Sequence, residues 1–97
     1  MFTTDDQLTI LSDTFKVLGD KTRLSILLTC VSDRIAVGEI AEKLGISQSL
    51  VSHNLRLLKA HRLVRGTRVN KQIFYEAADA HVKDMITDMM THVLEKK

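Results

Sequence analysis

A pair of short amphipathic segments separated by a glycine-containing turn constrains this fold more than any other feature. The pair occupies residues 37–64, VGEIAEKLGISQSLVSHNLRLLKAHRLV. In the first segment, Ile40 and Leu44 recur at the spacing of one helix face. Gly45 follows directly and tolerates the left-handed conformation that ends many helices, and Ser47 then has the side chain of an N-cap. Two short helices joined in this way form a helix-turn-helix.

The second of these helices, predicted over about residues 47–61, places its apolar and polar side chains on different faces. Its predicted buried stripe is Leu50, Val51, Leu55, Leu57 and Leu58. Its outer side carries small hydroxyls, an amide, an imidazole and a guanidinium, which can contact base edges and phosphates in a major groove. A plain helical hairpin with a polar face is the alternative. The predicted DNA-contacting residues on this recognition helix are Ser47, Gln48, Ser49, Ser52, His53 and Arg56.

The positive charge of the chain is concentrated around this helix. Residues 47–75 hold six of the 14 basic residues and none of the 12 acidic ones. That block therefore carries +6 and the rest of the chain −4, which together give the formal net charge of +2. A solvated charged face would explain a smaller cluster, but 29 residues without an acid favour a polyanionic partner, namely double-stranded DNA.

Directly after the recognition helix, the apolar pattern changes from a helical period to strand-like runs. Residues 63–68 and 71–75 are predicted to form two strands around a turn near Val69 and Asn70. Asn supports the left-handed backbone that such a turn needs. A hairpin at this place is a wing, predicted over about residues 62–76, whose basic side chains face the DNA backbone or the minor groove. The predicted wing contacts are Arg65, Arg68 and Lys71.

Two further helices are predicted upstream of the helix-turn-helix. Residues 5–17 carry apolar side chains at helical spacing, and Gly19 ends that helix. Asp20 is the predicted N-cap of the next helix, and Cys30 near its end is expected to be a small buried side chain. With a C-terminal helix, these elements predict a mainly α fold with a β-hairpin wing (α+β): a winged helix-turn-helix of about five helices and a two-stranded wing.

Length and composition fit a single domain over residues 1–97. A chain this small, 44% apolar, has a modest core, so we expect several helices to be covered by a partner chain. One cysteine excludes an internal disulfide, and no apolar run reaches the roughly 18 residues of a transmembrane helix. The N-terminal stretch carries acids where a signal peptide carries basic residues, so a cytoplasmic location without membrane association is expected. No nucleophile–base arrangement or glycine-rich phosphate loop indicates an enzyme.

From about residue 12 onward, the chain resembles the ArsR/SmtB family of metal-responsive winged-helix repressors. The resemblance is carried by FKVLGDKTRLSILL (15–28), by residues 37–64 and by the wing, and ISQSLVSHNLRLLK is its most specific part. It implies a homodimer that binds operator DNA and leaves it when a ligand arrives. The alternatives are a winged-helix regulator that uses its terminal helix only to dimerise and a small protein-interaction module.

The C-terminal helix, predicted over about residues 79–95, carries two pairs of metal-type side chains. Asp79 and His81 precede an apolar pattern, and His92 and Glu95 follow it. Eleven residues turn a helix by three turns plus about 20° and rise by about 16 Å, so His81 and His92 share a face but cannot bind one ion within one chain. In a two-fold dimer with antiparallel helices, each pair would meet the complementary pair of the partner.

The residue numbers agree with such an antiparallel arrangement. Those of His81 and His92 add up to 173, and those of Asp79 and Glu95 to 174, so symmetry would produce two identical sites per dimer. His92 and Glu95 are i, i+3 neighbours on a helix, whereas Asp79 has to lie at or before the N-cap for its side chain to join that of His81. The predicted metal ligands are Asp79, His81, His92 and Glu95.

The types of ligand indicate the metal. Two imidazoles and two carboxylates without a thiolate suit tetrahedral Zn(II), and Co(II) would bind similarly, whereas Ni(II) usually takes more ligands. The pattern Asp-x-His-x10-His-x2-Glu also resembles the C-terminal helix of the family's zinc sensors, which implies that Zn(II) is the regulatory ligand. A regulator that responds to Co(II), to Ni(II) or to no metal is the alternative.

Overall fold

The computed structural model describes residues 4–95, so residues 1–3 and 96–97 of the predicted domain lie outside the described range. Within this range, the chain forms five α-helices and three β-strands. In chain order they are α1 (Asp5–Leu18), α2 (Lys21–Ser32), β1 (Ile35–Ala36), α3 (Val37–Leu44), α4 (Gln48–Ala60), β2 (Val64–Val69), β3 (Gln72–Ala77) and α5 (Ala80–Leu94). The predicted mainly α fold with a β-hairpin wing is confirmed.

Local sequence signals set the helix ends. The Asp20 carboxylate accepts the backbone N–H of Arg23 at 2.9 Å, and the Ser47 hydroxyl accepts that of Leu50 at 3.1 Å, so both residues are the N-caps that the sequence predicts. Gly45 has a φ of 66°, a left-handed conformation that would be strained for other residues, and it ends α3 as predicted. Helices α3 and α4, with the short turn between them, are the predicted helix-turn-helix.

The sheet contains one strand more than predicted. β3 pairs antiparallel with β2 on one side and with β1 on the other, so the expected two-stranded wing is part of a three-stranded sheet of order β1-β3-β2. β1 is only two residues long, Ile35–Ala36, which is too short for an alternating pattern to appear in the sequence. Because β1 leads into α3 with no residue between them, the wing is hydrogen-bonded to the start of the helix-turn-helix.

The turn of the wing lies slightly later than predicted. Val69 pairs with Gln72, so the two-residue loop is Asn70 and Lys71, and β3 continues to Ala77. Asn70 adopts a φ of 58°. Asn is one of the few residues that adopt this conformation at small cost, which is why it fits the first position of the loop.

The core lies between α2, α3, α4 and the base of the wing. Its most deeply buried side chains are Ile26, Leu27, Cys30, Ile40, Val51, Leu55 and Leu58. The predicted burial of Cys30 is confirmed. The predicted stripe of α4 was too wide: Leu50 is 40% exposed and Leu57 is half-buried. The reason is that these two leucines, seven residues apart, lie about 100° around the helix from the centre of the buried face.

Two helices keep large apolar side chains at the surface of the protomer. The exposed members are Leu8, Ile10, Leu11 and Phe15 on α1, and Met89, Met90, Val93 and Leu94 on α5. Ile86 is the only buried residue of α5, so the second half of that helix makes little contact with its own core. Across residues 4–95, no helix combines the length and the apolar character needed to cross a bilayer.

Candidate nucleic-acid and metal sites

Helix α4 presents the predicted DNA-contacting side chains on one exposed face. Gln48, Ser49, Ser52, His53 and Arg56 are all exposed, and at 100° per residue they span about 140° of the helix. The N-cap Ser47 is exposed as well, and its hydroxyl oxygen accepts the N–H of Leu50, so its proton remains free to donate to a phosphate. The buried positions of α4 occupy the opposite side, which fixes this polar face outward.

Two of the three predicted wing contacts are exposed and form no ion pair with any residue between 4 and 95. Arg68 and Lys71 are exposed at the end of the hairpin. Arg65 instead donates from its guanidinium to the Glu76 carboxylate at 3.1 Å across the two strands. Since side chains alternate along a strand, Arg65 and Arg68 also lie on opposite faces of β2. The three cations therefore do not form one surface.

A groove connects α4 with the wing. It has a volume of about 350 Å³ and is lined by Ser52 of α4, by Lys71 and Gln72 of the wing and by the start of α3. Sequence reasoning missed Gln72 as a residue of this surface, because its polar side chain stands in an apolar strand pattern and carries no charge. The groove gives the polar face of α4 and the wing tip a common concave surface.

The first half of the predicted metal site lies at the start of α5. Asp79 is the N-cap of this helix, as predicted: its φ is −161° and its Oδ1 accepts the backbone N–H of Val82 at 3.0 Å. The same Oδ1 lies 3.6 Å from Nδ1 of His81. The side chains of His81 and Asp79 are 97% and 56% exposed, so both are accessible to an ion and to a partner chain.

The second half of the predicted site lies at the other end of α5. His92 is in the last turn of the helix and is exposed. Glu95 follows the helix as its C-cap, with φ −62° and ψ 133°, and its backbone N–H donates to the carbonyl of His92 at 3.3 Å. The expected i, i+3 relation on a regular helix is therefore modified, because the backbone has left the helix at Glu95.

Within one protomer, the two halves of the predicted metal site lie far apart. The described part of the chain contains no group of three or more His, Cys, Asp or Glu side chains able to hold a metal ion. The rise of α5 between His81 and His92 is about 16 Å, far beyond any metal–ligand distance. We call the Asp79–His81 pair and the His92–Glu95 pair the two half-sites.

Cys30 lies apart from this chemistry. It is 2% exposed, and desolvation by burial raises the pKa of its thiol from 9.0 to about 12. A metal ligand or a redox-active cysteine has to be a thiolate, and this thiol stays protonated at neutral pH. Cys30 is thus a core residue.

The architecture and the polar face of α4 define a winged helix-turn-helix DNA-binding domain. Residues 18–67 match the family described as a helix-turn-helix domain. The chain is 32% identical over 90 residues to a transcriptional repressor SmtB homolog of Synechocystis, covering 93% of this chain and 68% of that protein. It is 34% identical to the transcriptional regulator KmtR of Mycobacterium tuberculosis, covering 87% and 65%. The chain belongs to the ArsR/SmtB family of metal-responsive winged-helix repressors.

Solved structures agree with this assignment. The homodimeric winged helix-turn-helix domain of Mb0332 from Mycobacterium bovis, described as a possible ArsR-family regulator, superposes with a TM-score of 0.86 at 26% identity, covering 94% of this chain and 87% of that chain. The solution structure of apo-NmtR gives a TM-score of 0.78 at 30% identity, covering 100% and 86%. The chain spans about two thirds of the length of the two curated relatives named above.

Proposed function

We propose that this protein is a homodimeric, zinc-responsive transcriptional repressor that acts in the cytoplasm. The metal-free dimer binds double-stranded operator DNA, and Zn(II) at two inter-subunit sites lowers its affinity for that DNA. The single observation that carries the proposal is the separation of the half-sites on α5: each is exposed, each supplies one imidazole and one carboxylate, and neither is complete within a protomer.

The exposed apolar faces of α1 and α5 support the homodimer. Leu8, Leu11 and Phe15 recur at helical spacing on α1 and are 49–55% exposed, although each would favour burial. A groove of about 420 Å³ between α2 and α5 is also lined by apolar side chains, among them Leu28, Ile86 and Met90. Patches of this kind mark an interaction surface, and a second copy provides matching apolar faces by symmetry.

The order of the two half-sites along α5 supports a metal site formed between two antiparallel α5 helices. Asp79 and His81 of one protomer would then meet His92 and Glu95 of the partner, because the residue numbers of each pair have nearly the same sum. The donor set fits the metal: imidazole nitrogens and carboxylate oxygens are both ligands of Zn(II), and four of them complete a tetrahedral site. When bound, the ion supplies a cross-link between the protomers. Within one protomer, the N-cap at Asp79 holds its carboxylate beside His81, so these two ligands are positioned together for the ion.

The outer face of α4 and the wing support DNA binding. In a two-fold dimer, two recognition helices can enter successive major grooves about 34 Å apart. The proposed regulation is a linkage between sites: Zn(II) favours a dimer whose α4 helices are less well placed for the operator. By reciprocity, the operator weakens zinc binding by the same factor, and such couplings are commonly about 1–3 kcal/mol.

The test is fluorescence anisotropy with a duplex selected by the metal-free protein from a randomised pool. Zn(II) should lower the DNA affinity at least about tenfold, which corresponds to 1.4 kcal/mol. His92→Ala should bind the same duplex without responding to Zn(II). The matched control is His61→Ala, which removes a half-buried imidazole outside both sites and should keep the zinc response.

Other outcomes select among the alternatives. Equal DNA affinity with and without Zn(II) contradicts zinc sensing. Titration with Co(II) and Ni(II) then distinguishes a regulator that responds to another metal from one that responds to none. DNA binding is contradicted if the protein enriches no duplex and also shows no salt-dependent affinity for an unselected 40-bp duplex. That result favours a protein-interaction module.

A further inference from the structure

One side chain connects three helices of the protomer. The Nε of Arg23 donates to the backbone carbonyl of Val17 in the last turn of α1 at 2.8 Å, and its Nη1 donates to Oδ1 of Asn54 on α4 at 3.2 Å. The backbone N–H of Arg23 is itself held at the start of α2 by Asp20. We call the contact between the guanidinium and the amide the Arg23–Asn54 bridge.

Burial and a second hydrogen bond fix the orientation of the Asn54 amide in this bridge. It is 4% exposed and is the only buried polar residue among residues 4–95. Its Nδ2 donates to the carbonyl of Leu50 at 3.0 Å, so the orientation of the amide is fixed and its Oδ1 points to Arg23. A buried amide without partners is costly, so α4 is favoured in the position that keeps the bridge intact. Asn54 lies on the inner side of the same helix whose outer side is the proposed DNA surface.

The second hydrogen bond of the Arg23 guanidinium, to Val17, lies on the proposed dimer side of the molecule. The last carbonyls of a helix have no partner within it, and a cation is favourable there, so the guanidinium stabilises the end of α1 at Val17. Helix α1 carries the exposed apolar side chains that the proposed dimer covers. Arg23 therefore contacts one helix on the dimer side and another on the DNA side, and its planar fork fixes the direction of both bonds.

We propose that the Arg23–Asn54 bridge is the positioning contact through which the dimer-forming helix α1 sets the orientation of the recognition helix α4. This inference rests on the proposed function. Loss of the bridge lowers DNA affinity because the two α4 helices of the dimer are no longer held at one spacing. The fold and the dimer remain, since the apolar core and the faces of α1 and α5 are unchanged.

The first test is a double-mutant cycle with Arg23→Met, Asn54→Leu and the double variant, with Arg23→Lys added as the conservative change. The control is Ile26→Val, a fully buried residue of the same helix, which loosens the core and leaves the bridge atoms in place. Each single variant should lower the affinity of the metal-free dimer for the selected duplex about tenfold, and the double variant should be no worse. The dissociation constant of the dimer, measured by sedimentation, should stay within about twofold of that of the unmodified protein.

The second test measures the orientation of α4 directly. A spin label at Lys59→Cys in a Cys30→Ala background reports the distance between the two α4 helices of the dimer without DNA. Arg23→Met should broaden that distance distribution, whereas Ile26→Val should not. Any one of three results would overturn the proposal: additive affinity losses, affinity losses no larger than that of Ile26→Val, or an unchanged distance distribution.

These outcomes are separable from a failure of the proposed function. If the unmodified protein binds no duplex, the proposed function fails, and the spin-label distances still decide whether the bridge positions α4. If the unmodified protein binds DNA and the bridge variants bind equally well, only the positioning role fails.

Discussion

Oδ1 of Asp79 lies 3.0 Å from the backbone nitrogen of Val82 and 3.6 Å from Nδ1 of His81, so Asp79 both caps α5 and stands beside an imidazole. The cap fixes the extended backbone at residue 79, and that backbone turns the carboxylate toward His81 although the two residues are i, i+2. One side chain thus serves the start of the helix and the proposed metal site.

The two roles of Asp79 can be separated by substitution. Asp79→Ser keeps an N-cap oxygen, so the free energy of unfolding should change by only a few tenths of a kcal/mol, whereas Asp79→Ala should lose about 1 kcal/mol. Both variants remove the carboxylate ligand, so both should bind Zn(II) at least about tenfold more weakly, a loss of about 1.4 kcal/mol. Urea unfolding and zinc titration against a chromophoric chelator measure the two effects. Unchanged zinc affinity in Asp79→Ser would remove Asp79 from the ligand set.

The proposed inter-subunit arrangement predicts complementation between two inactive variants. Dimers of His81→Ala alone, or of His92→Ala alone, contain no complete site. A mixed dimer with one chain of each contains one site with all four ligands and one with neither histidine. Mixing the variants should therefore restore high-affinity binding of about one Zn(II) per mixed dimer, measured by titration after subunit exchange. If each site were formed within one chain, mixing would restore nothing.

The sequence predicted most of the fold, because the signals involved are local. Gly45, Ser47 and Asp20 set helix ends through their own backbone and side-chain preferences, and the structure confirms all three. β1 was missed because two residues cannot display a period, and its pairing with β3 depends on contacts distant in the chain. Leu50 was expected in the core because a single apolar pattern does not show where the edge of a buried face lies.

For the candidate sites as well, local features could be predicted from the sequence and long-range contacts could not. The polar face of α4 follows from helical spacing and lies exposed as expected. The ion pair between Arg65 and Glu76 was not predicted, because it depends on the strand register that places the two residues opposite each other. The Arg23–Asn54 bridge joins residues 31 positions apart, and no local pattern indicates such a contact. The metal ligands remain a prediction, which the Asp79 variants and the mixed dimers of His81→Ala and His92→Ala test.

The ion pair of the wing predicts different roles for two arginines in DNA binding. Arg68→Ala should reduce the slope of log affinity against log salt by about 1, as expected for one lost phosphate contact. Arg65 is already paired with Glu76, so Arg65→Ala combined with Glu76→Gln, which keeps the net charge, should leave that slope nearly unchanged. Anisotropy titrations at several salt concentrations measure both. Equal reductions would show that Arg65 also contacts a phosphate.

Burial of Cys30 predicts a loss of stability at high pH. The folded state keeps the thiol neutral up to about pH 12, whereas the unfolded chain releases the proton above about pH 9. The contribution to stability is therefore complete below pH 9 and is lost as the pH rises toward 12, by at most about 1.4 kcal/mol per pH unit. Urea unfolding between pH 8 and 11 should show a shallower decrease for Cys30→Ala than for the unmodified protein. Identical slopes would contradict the raised pKa.

A substitution on the exposed face of α1 should weaken the proposed dimer without unfolding the protomer. Leu11 is 49% exposed in the protomer, so Leu11→Glu should leave the protomer folded and place a charge in the proposed interface. Sedimentation should show at least a tenfold weaker dimer, with the circular dichroism of the folded protein retained. The neighbouring Ser12→Glu adds the same charge at another exposed position and is the matched control. A dimer unaffected by Leu11→Glu would place the interface elsewhere.

The two-residue strand β1 has a consequence for how a protein of this kind can diversify. The loop at Asn70 and Lys71 extends beyond the pairing with β1, so its sequence and length can drift while the orientation of the helix-turn-helix is retained. Ile35 and Ala36 are buried and lead directly into α3, so a change there alters the sheet and the helix together. With the wing as the proposed DNA contact, new DNA preferences can therefore arise at its tip, whereas β1 tolerates little variation.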